Sequence, residues 1–380
     1  MQILLVGASV RALAESAARA GCTVIAADLF GDEDLRAVAR DVIVIPIDRY
    51  PTDLIAVAHS FPSIPRCYTG GLENRPDVLD ALARTGPLWG NPSPVCDAIR
   101  DPWKLHDYMT NRSFLTPTIL RPGHVPTDQR DWLIKPCRGT GGMRVRRAEG
   151  SRAGIGEFYQ SFVAGLSCSV LFAGSSAGCC RLGVTRQLLA GDDHDPTRPH
   201  EPFTYVGSVG PLDPHRERDA ELDLLGELLV QEIGLRGVFG VDFIWHEGRV
   251  HVIEINPRYT ASAEIIEHAR QISIFEQHRR SFAGESLGPF PLHRNQYLTK
   301  RIIFSPFASR LTRPLPTLDN HSAKIWCADR PALGTRWRAG EPAFTVMQKL
   351  DSLEQASMTP TAAKDLWREH VRIEGKDSTA

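Results

Sequence analysis

The sequence lacks an excess of charge of either sign. Its 380 residues carry 44 Lys and Arg against 45 Asp and Glu, a formal net charge of −1. Overall electrostatic attraction to nucleic acid or to an acidic membrane is therefore not expected. No apolar stretch approaches the roughly 20 residues of a membrane span. No basic leader precedes the first apolar run, residues 3–6, so a cytoplasmic location is expected.

Zinc-ligand spacings are missing as well. The eight cysteines and thirteen histidines are scattered, and no CxxC pair occurs. Scattered cysteines in a chain of this length are typical of reduced, mostly buried thiols. No repeat or low-complexity tract interrupts the chain, and its apolar fraction of 42% is ordinary for a globular protein.

The first 98 residues alternate short apolar strands with helices rich in Ala and Leu. Strands are predicted at residues 3–6, 23–27, 42–45 and 66–69. This alternation predicts a parallel sheet with helices on both faces and hence an α/β fold. Beyond a Pro-rich connector at 116–126 the pattern becomes strand-rich, a helix follows at 216–233, and β-like runs return at about 295–350.

The most informative stretch, residues 237–258, reads as two strands joined by the turn His246-Glu247-Gly248. A three-residue loop with Gly248 in the left-handed region pairs Asp242 with Val252. Asp242 then lies on the same face as Glu254 and Asn256, which are two residues apart. Two carboxylates and an amide on a rigid hairpin suit Mg²⁺ rather than zinc. The alternative is an amphipathic hairpin with solvated acids, although the flanking apolar residues make unpaired carboxylates costly.

A lysine on a predicted strand, Lys135, precedes a glycine-rich turn made of Gly139, Thr140, Gly141 and Gly142, and residues 143–147 read as the next strand. Glycines let backbone N–H groups approach an anion, and the lysine adds a positive charge beside them. The pattern is not a Walker motif, and a glycine-rich turn without a ligand is the alternative. Lys104 is a second candidate phosphate lysine.

Two motifs of the N-terminal sheet are candidate substrate contacts. Ser9 and Arg11 lie between the first strand and the first helix, where a helix N-terminus can hold an anionic group, although Ser9 can also simply cap the helix. The glycines of the dinucleotide fingerprint are missing there, which argues against an NAD-dependent dehydrogenase. Glu73 and Asn74 follow another strand of the same sheet and are expected to face the same cleft.

Together these elements resemble the ATP-grasp superfamily. Lys135 with its glycine-rich turn, then Asp242 and Glu254-Ile-Asn256-Pro-Arg258, carry the resemblance, which covers roughly residues 1–290. It implies a Rossmann-like domain at 1–98, an ATP-grasp domain of two α+β subdomains at 99–290 with its lid at about 115–163, and a small β-rich region at 291–380. Thr185-Arg-Gln187 and Phe203-Thr-Tyr205 look more narrowly like ATP-grasp proteins of one-carbon metabolism, such as tyramine–glutamate ligases.

The resemblance also implies a role for each motif. Two Mg²⁺ ions, which Mn²⁺ can replace, are expected on Asp242, Glu254 and Asn256, bridging the phosphates of ATP. The phosphate contacts are Lys104, Lys135 and the lid residues 139–142, the adenine contacts are Gln160, Phe162 and Val163, and Arg258 stabilises the transferred phosphoryl group or the acyl phosphate. Gln160 stands where a glutamate is common, and Ser167 replaces an acid that often binds the ribose.

The implied activity is a carboxylate–amine ligase that forms an amide through an acyl phosphate, acting on two small molecules. A homodimer is compatible with the resemblance, and biosynthesis of a one-carbon carrier is the biological role it suggests. A carboxylase that uses bicarbonate and a non-catalytic, ATP-binding regulatory protein are the alternatives.

Overall fold

The computed structural model describes residues 1–192, 201–287, 296–317 and 323–374. The chain opens with alternating strands and helices: β1 Gln2–Val6, α1 Arg11–Arg19, β2 Thr23–Asp28, α2 Glu33–Val38, β3 Ala39–Val44, α3 Asp53–Ser60, β4 Arg66–Tyr68 and α4 Pro76–Thr85. The four strands form a parallel sheet in the order β3-β2-β1-β4. This is the sheet that the alternating pattern predicts.

Two helices and a small antiparallel sheet follow. They are α5 Ser93–Arg100, α6 Pro102–Thr110, β5 Trp132–Pro136, β6 Arg146–Arg147 and β7 Glu157–Ser161, with the sheet order β6-β5-β7. The strand predicted at 143–147 is shorter than expected. Arg144 and two glycines before it have positive φ, so the chain is still turning there. Pairing with β5 begins only at Arg146.

The middle of the chain supplies most of a large antiparallel sheet. Its elements are β8 Leu166–Ser175, β9 Gly178–Leu189, β10 Tyr205–Gly210, α7 Arg216–Leu228, β11 Gly237–His246, β12 Arg249–Asn256, α8 Ala263–Arg270 and α9 Ile274–Ala283. The helix predicted at 216–233 changes to a π-helical turn at Leu229–Ile233 and ends at the left-handed Gly234.

The last strands extend that sheet rather than forming a separate one. The elements are β13 Tyr297–Phe304, β14 Ser309–Leu311, β15 Ile325–Ala328, β16 Arg336–Trp337, β17 Pro342–Leu350, α10 Thr359–His370 and β18 Val371–Ile373. The eight-stranded order is β12-β11-β8-β9-β10-β13-β17-β15, while β16-β14-β18 form a small sheet. The boundary expected at 290/291 lies outside the described residues, and the three-domain division stays a prediction.

A continuous apolar core joins the parallel sheet to the large one. Ile3 and Leu5 of β1 belong to the same buried cluster as Val238 of β11, Ile266 of α8 and Phe275 of α9. The two sheets are thus held together by packed side chains, which places the carboxyl edge of the parallel sheet next to β12. No helix among the described residues is long and apolar enough to cross a membrane.

The pairing of the β11–β12 hairpin differs from the prediction. The loop contains two residues, Glu247 and Gly248, both with positive φ, so that His246 pairs with Arg249. The register then shifts between Asp242 and Phe243, and Asp242 pairs with Glu254 instead of Val252. The shorter loop moves the pairing by one residue and the bulge moves it by one more. This net shift of two residues keeps Asp242 on the same face as Glu254 and Asn256.

Candidate functional site

A cavity of about 590 Å³ lies between the small β6-β5-β7 sheet and the face of the large sheet. Most of the residues singled out in the sequence line it: Lys135, Gly139, Thr140, Gly141, Gly142, Gln160, Phe162, Val163, Asp242, Glu254, Asn256 and Arg258. Lys104, Ser9, Arg11, Glu73 and Asn74 do not line it.

The oxygen-bearing side chains of the hairpin meet at one end of the cavity. Asp242 and Glu254 are cross-strand neighbours, and the Asn256 side-chain amide donates to Asp242 Oδ2 at 3.0 Å. Burial and the Glu254 carboxylate raise the pKa of Asp242 to about 6, against the opposing effect of a hydrogen bond from Ser169. The set contains only oxygen donors on the cavity side, which fits a hard divalent cation such as Mg²⁺.

Glu254 lies between two cations. Arg100 at the end of α5 donates to Glu254 Oε1, and Lys135 lies close enough to interact electrostatically. Burial pushes the pKa of Glu254 upward, but these two cations outweigh it and leave the pKa below its ordinary value. Burial also lowers the pKa of Lys135, although the carboxylates of Glu254 and Asp242 oppose that effect.

Arg100 is the functional residue that sequence reasoning missed. Its side chain is 8% exposed and lines the cavity. Nη2 donates to the backbone oxygen of Gly139 at 2.7 Å, and Nε donates to Asn74 Oδ1 at 3.1 Å. One guanidinium therefore contacts Glu254, the glycine-rich turn and the N-terminal part of the chain. In the sequence Arg100 stands immediately before Asp101, the N-cap of α6, and nothing in that position indicates a contact with Glu254 or the cavity.

Lys104 lies outside the cavity because of the helix on which it sits. Asp101 caps α6 by accepting hydrogen bonds from the backbone N–H groups of Trp103 and Lys104. The helix buries Leu105 and Met109, and Lys104 is exposed. The structure therefore brings Arg100, rather than Lys104, to the hairpin.

The glycine-rich turn is docked against the segment that leads into β10. Gly141 O accepts a hydrogen bond from Tyr205 N at 2.9 Å. Gly142 has φ +71°, and a Cβ atom there would lie 1.9 Å from Phe203 O. Only glycine fits this approach. The turn thus covers the end of the cavity that contains Lys135.

The residues predicted to contact adenine follow one another along the cavity wall. Gln160 on β7 is 4% exposed, and Phe162 and Val163 follow it along the wall. The Arg147 guanidinium carbon lies 3.8 Å from the centre of the Phe162 ring. Ser167, which stands where an acid was expected, donates to Gln187 Oε1 at 2.8 Å.

The first strand–helix connection does not form a ligand site. Ser9 is exposed and does not cap α1, whose N-cap is Val10. Asp28 at the end of β2 accepts hydrogen bonds from the backbone N–H groups of Val10, Phe30 and Gly31. An acid at this place is what a dinucleotide fold uses for ribose, and here its oxygens are engaged internally.

Arg11 is buried rather than facing a cleft, contrary to the prediction. Its side chain is 1% exposed and pairs with Glu264, with Glu15 at 3.3 Å and with Asp329 Oδ1 at 2.9 Å. Lys300 Nζ donates to the same Glu264 at 2.7 Å. The guanidinium therefore binds α8 and the turn after β15 to α1, and no N–H group is directed at a substrate.

Glu73 and Asn74 stand behind the cavity wall. Glu73 is 2% exposed and forms an ion pair with Arg258, and Asn74 accepts the hydrogen bond from Arg100. Both contact cavity arginines, so the carboxyl edge of the parallel sheet reaches the site through these two side chains.

Comparison with known proteins gives one family match and many structural ones. Residues 99–262 match the model of the family described as ATP-grasp domain, and no curated protein matches the chain. The biotin carboxylase domain of Hydrogenobacter thermophilus 2-oxoglutarate carboxylase, solved as a dimer with MgADP, ADP and bicarbonate, is 15% identical. Its TM-score is 0.72 over 95% of this chain and 89% of that one.

Two further structures share the fold. N5-carboxyaminoimidazole ribonucleotide synthetase from Thermotoga maritima is 17% identical, with a TM-score of 0.67 over 98% of this chain and 99% of that one. Biotin carboxylase from Campylobacter jejuni, in a β-γ-ATP complex, is 14% identical, with a TM-score of 0.71 over 95% and 90%. The predicted α/β fold is confirmed, whereas the narrower resemblance to tyramine–glutamate ligases stays a prediction.

Proposed function

We propose that this chain, whose residues 99–262 match the ATP-grasp domain family, is an ATP- and Mg²⁺-dependent carboxylate–amine ligase. It would form an amide and release ADP and phosphate. The observation that carries the proposal is the convergence of Asp242, Glu254 and Asn256 with Lys135 in one cavity beneath a glycine-rich turn. A carboxylate pair and an amide on one wall, with a lysine on the facing wall, suit a metal–triphosphate complex.

The hairpin would hold the metal. Asp242, Glu254 and Asn256 supply the oxygen ligands for two Mg²⁺ ions, or for Mn²⁺ in their place. A metal bound there would neutralise charge on the phosphates and on the transferring group. With Glu254 on the cation, the Arg100 guanidinium would be available to a phosphate oxygen.

Phosphate binding is assigned to Lys135, to Arg100 and to the turn at residues 139–142. Their charges and N–H groups stabilise the negative charge that spreads over the phosphoryl oxygens during transfer. The docked turn keeps water from this end of the cavity, which protects a reactive acyl phosphate from hydrolysis. The adenine ring is assigned to the wall formed by Gln160, Phe162 and Val163.

The reaction proceeds by two displacements. An oxygen of the substrate carboxylate attacks the γ-phosphorus, the bond to the β,γ-bridging oxygen breaks, and ADP leaves. The substrate amine then attacks the acyl carbon and phosphate leaves with the C–O bond electrons, while the amine loses a proton. Arg258 contacts the phosphoryl oxygens of the intermediate. Alignment and charge neutralisation suffice for the transfer, so no protein nucleophile is required.

A bicarbonate-using carboxylase is the second candidate. It is favoured by the likeness to a biotin carboxylase domain that was solved with bicarbonate. A non-catalytic nucleotide-binding protein would need the cavity but not the complete set of metal and phosphate residues. The finer parts of the proposal follow the resemblance: a product used in biosynthesis of a one-carbon carrier, a homodimer, and a cytoplasmic location.

The test is ADP release from MgATP with pooled carboxylates, with and without pooled amines. Release that needs both pools supports the ligase, release with bicarbonate alone supports the carboxylase, and ATP binding without turnover supports the regulatory protein. Glu254→Ala should abolish turnover and leave the fold intact. Glu247→Ala is the matched control, since that side chain is 83% exposed at the tip of the same hairpin. Retained turnover in Glu254→Ala would refute the metal assignment.

A further inference from the structure

The turn after β4 reaches from the parallel sheet to the cavity arginine on the neighbouring sheet. Its sequence is Gly70-Gly71-Leu72-Glu73-Asn74, and Leu72–Asn74 form a single 3-10 turn. The Glu73 side chain is fully buried at its carboxylate, and its ion-pair partner is Arg258, 185 residues away in the chain. A buried carboxylate needs a compensating charge, and this pair supplies it.

Three residues accept hydrogen bonds from the Arg258 guanidinium. Its Nε donates to Glu73 Oε1 at 3.0 Å, and Nη2 lies 2.9 Å from the same oxygen. Nη2 also donates to Asn256 Oδ1 at 3.1 Å, and Nη1 donates to Tyr259 O at 3.2 Å. A guanidinium has five N–H groups, so these contacts fix its plane and leave one N–H group, on Nη1, for a ligand in the cavity.

Gly70 packs against the face of the same guanidinium. A Cβ atom at Gly70 would lie 3.1 Å from the Arg258 guanidinium carbon and 3.2 Å from Nη2. A side chain at this position would make a tight contact and shift the guanidinium by a few tenths of an ångström. The turn therefore contributes a carboxylate at the edge of the arginine and bare backbone at its face.

We propose that Glu73 is a positioning residue for Arg258, so that the N-terminal sheet takes part in the reaction without touching the substrate. This inference rests on the proposed ligase function. One carboxylate oxygen of Glu73 has no hydrogen-bond partner among the described residues. Keeping such a buried charge is costly for the fold alone, and its contact with Arg258 gives it a use. By binding Nε and Nη2 of Arg258, Glu73 orients the remaining edge of the guanidinium toward the phosphoryl and acyl groups.

The first test compares turnover of Glu73→Leu, which removes both acceptors at similar size, and Glu73→Gln, which keeps one. In the ADP-release assay with both substrate pools, we expect kcat to fall on the order of 10²-fold in Glu73→Leu, since misplacing a reacting group costs about that much. The KM for MgATP should stay within about twofold, and Glu73→Gln should be intermediate. Asp77→Asn, an exposed carboxylate paired with Arg75 in the same segment, is the matched control.

A double-mutant cycle separates positioning from a structural role. In a background of Arg258→Lys, Glu73→Leu should cause little further loss, because both changes remove the same arrangement. Additive losses would overturn the proposal.

A second readout needs no turnover. The ¹⁵N Nε–H resonance of Arg258, assigned with Arg258→Lys, should be protected from exchange in the wild type and in Asp77→Asn, less protected in Glu73→Gln, and lost in Glu73→Leu. An unchanged resonance in Glu73→Leu would overturn the proposal. If the wild type releases no ADP from any pool, the ligase function fails, and this resonance alone decides whether Glu73 positions Arg258.

Discussion

Arg100→Met removes the guanidinium that connects Glu254 to the glycine-rich turn. The variant loses an ion pair with Glu254 and two hydrogen bonds, at 2.7 Å to Gly139 O and at 3.1 Å to Asn74 Oδ1. If Arg100 turns to a phosphate oxygen when nucleotide binds, its loss should cost as much as one hydrogen bond to a charged group, about 1.5–3 kcal/mol or roughly ten- to hundredfold in affinity. Lys135 remains beside Glu254, so we expect the smaller of these values.

The assay is a calorimetric titration with a non-hydrolysable MgATP analogue, which requires no knowledge of the carboxylate or the amine. We expect the Kd of Arg100→Met to rise about tenfold. Arg100→Lys should be intermediate, because an ammonium keeps the charge but cannot reach three partners in a fixed fork. Lys104→Met serves as the matched control. Its side chain is exposed and outside the cavity, so the Kd should change by less than about twofold.

The opposite pattern would refute this reasoning. A large loss in Lys104→Met with an unaffected Arg100→Met would mean that α6 rotates or shifts to bring Lys104 to the phosphates. Unchanged affinity in both variants would exclude α5 and α6 from phosphate binding. Circular dichroism and a urea titration of each variant show whether a loss of affinity reflects unfolding instead.

Three further predictions concern the lid and the fold. Gly142→Ala should weaken binding of the analogue by ten- to hundredfold in the same titration, because the new Cβ meets Phe203 O at 1.9 Å and strains a left-handed residue by about 1–3 kcal/mol. Arg11→Leu should lower the free energy of unfolding by about 3–5 kcal/mol in urea, since it leaves buried carboxylates unpaired. The exposed Arg49→Leu should change it by less than about 1 kcal/mol. Burial and neighbouring carboxylates raise the pKa of Asp32 from 3.8 to about 8. Between these two pKa values the folded state keeps a proton on Asp32 that the unfolded state releases, so the free energy of unfolding falls as pH rises. Asp32→Asn should therefore make the free energy of unfolding less dependent on pH, as measured by urea titrations at pH 5 and 8.

The hairpin shows what a sequence pattern can and cannot determine. Alternation placed Asp242, Glu254 and Asn256 on one face, because side-chain direction in a strand depends only on position. The pairing partner of Asp242 was predicted wrongly. It depends on a two-residue loop in which Glu247 takes a positive φ, and on a bulge at Asp242/Phe243. Neither feature has a residue signature here, since glutamate rarely adopts that conformation.

The arginines and lysines show a different limit. Arg11, Arg100 and Lys104 all lie near helix ends in the structure, but only Arg11 and Lys104 were candidates from the sequence. Which of them reaches the cavity depends on partners far along the chain, such as Glu264 for Arg11 and Glu254 for Arg100. Spacing within a motif carries no information about these partners, so the sequence could name candidate cations but could not choose among them.

The same long-range partners explain how separate parts of the chain form one site. The parallel sheet supplies Glu73 to Arg258 and Asn74 to Arg100, and both arginines line the cavity. A nucleotide site on the hairpin alone would need neither contact. An N-terminal sheet that only bound its own ligand would not need to direct a buried carboxylate at an arginine of the neighbouring sheet. The arrangement instead suits the proposed ligase reaction, in which a second molecule would lie in the cavity beside Arg100 and Arg258, two side chains that contacts from the parallel sheet orient.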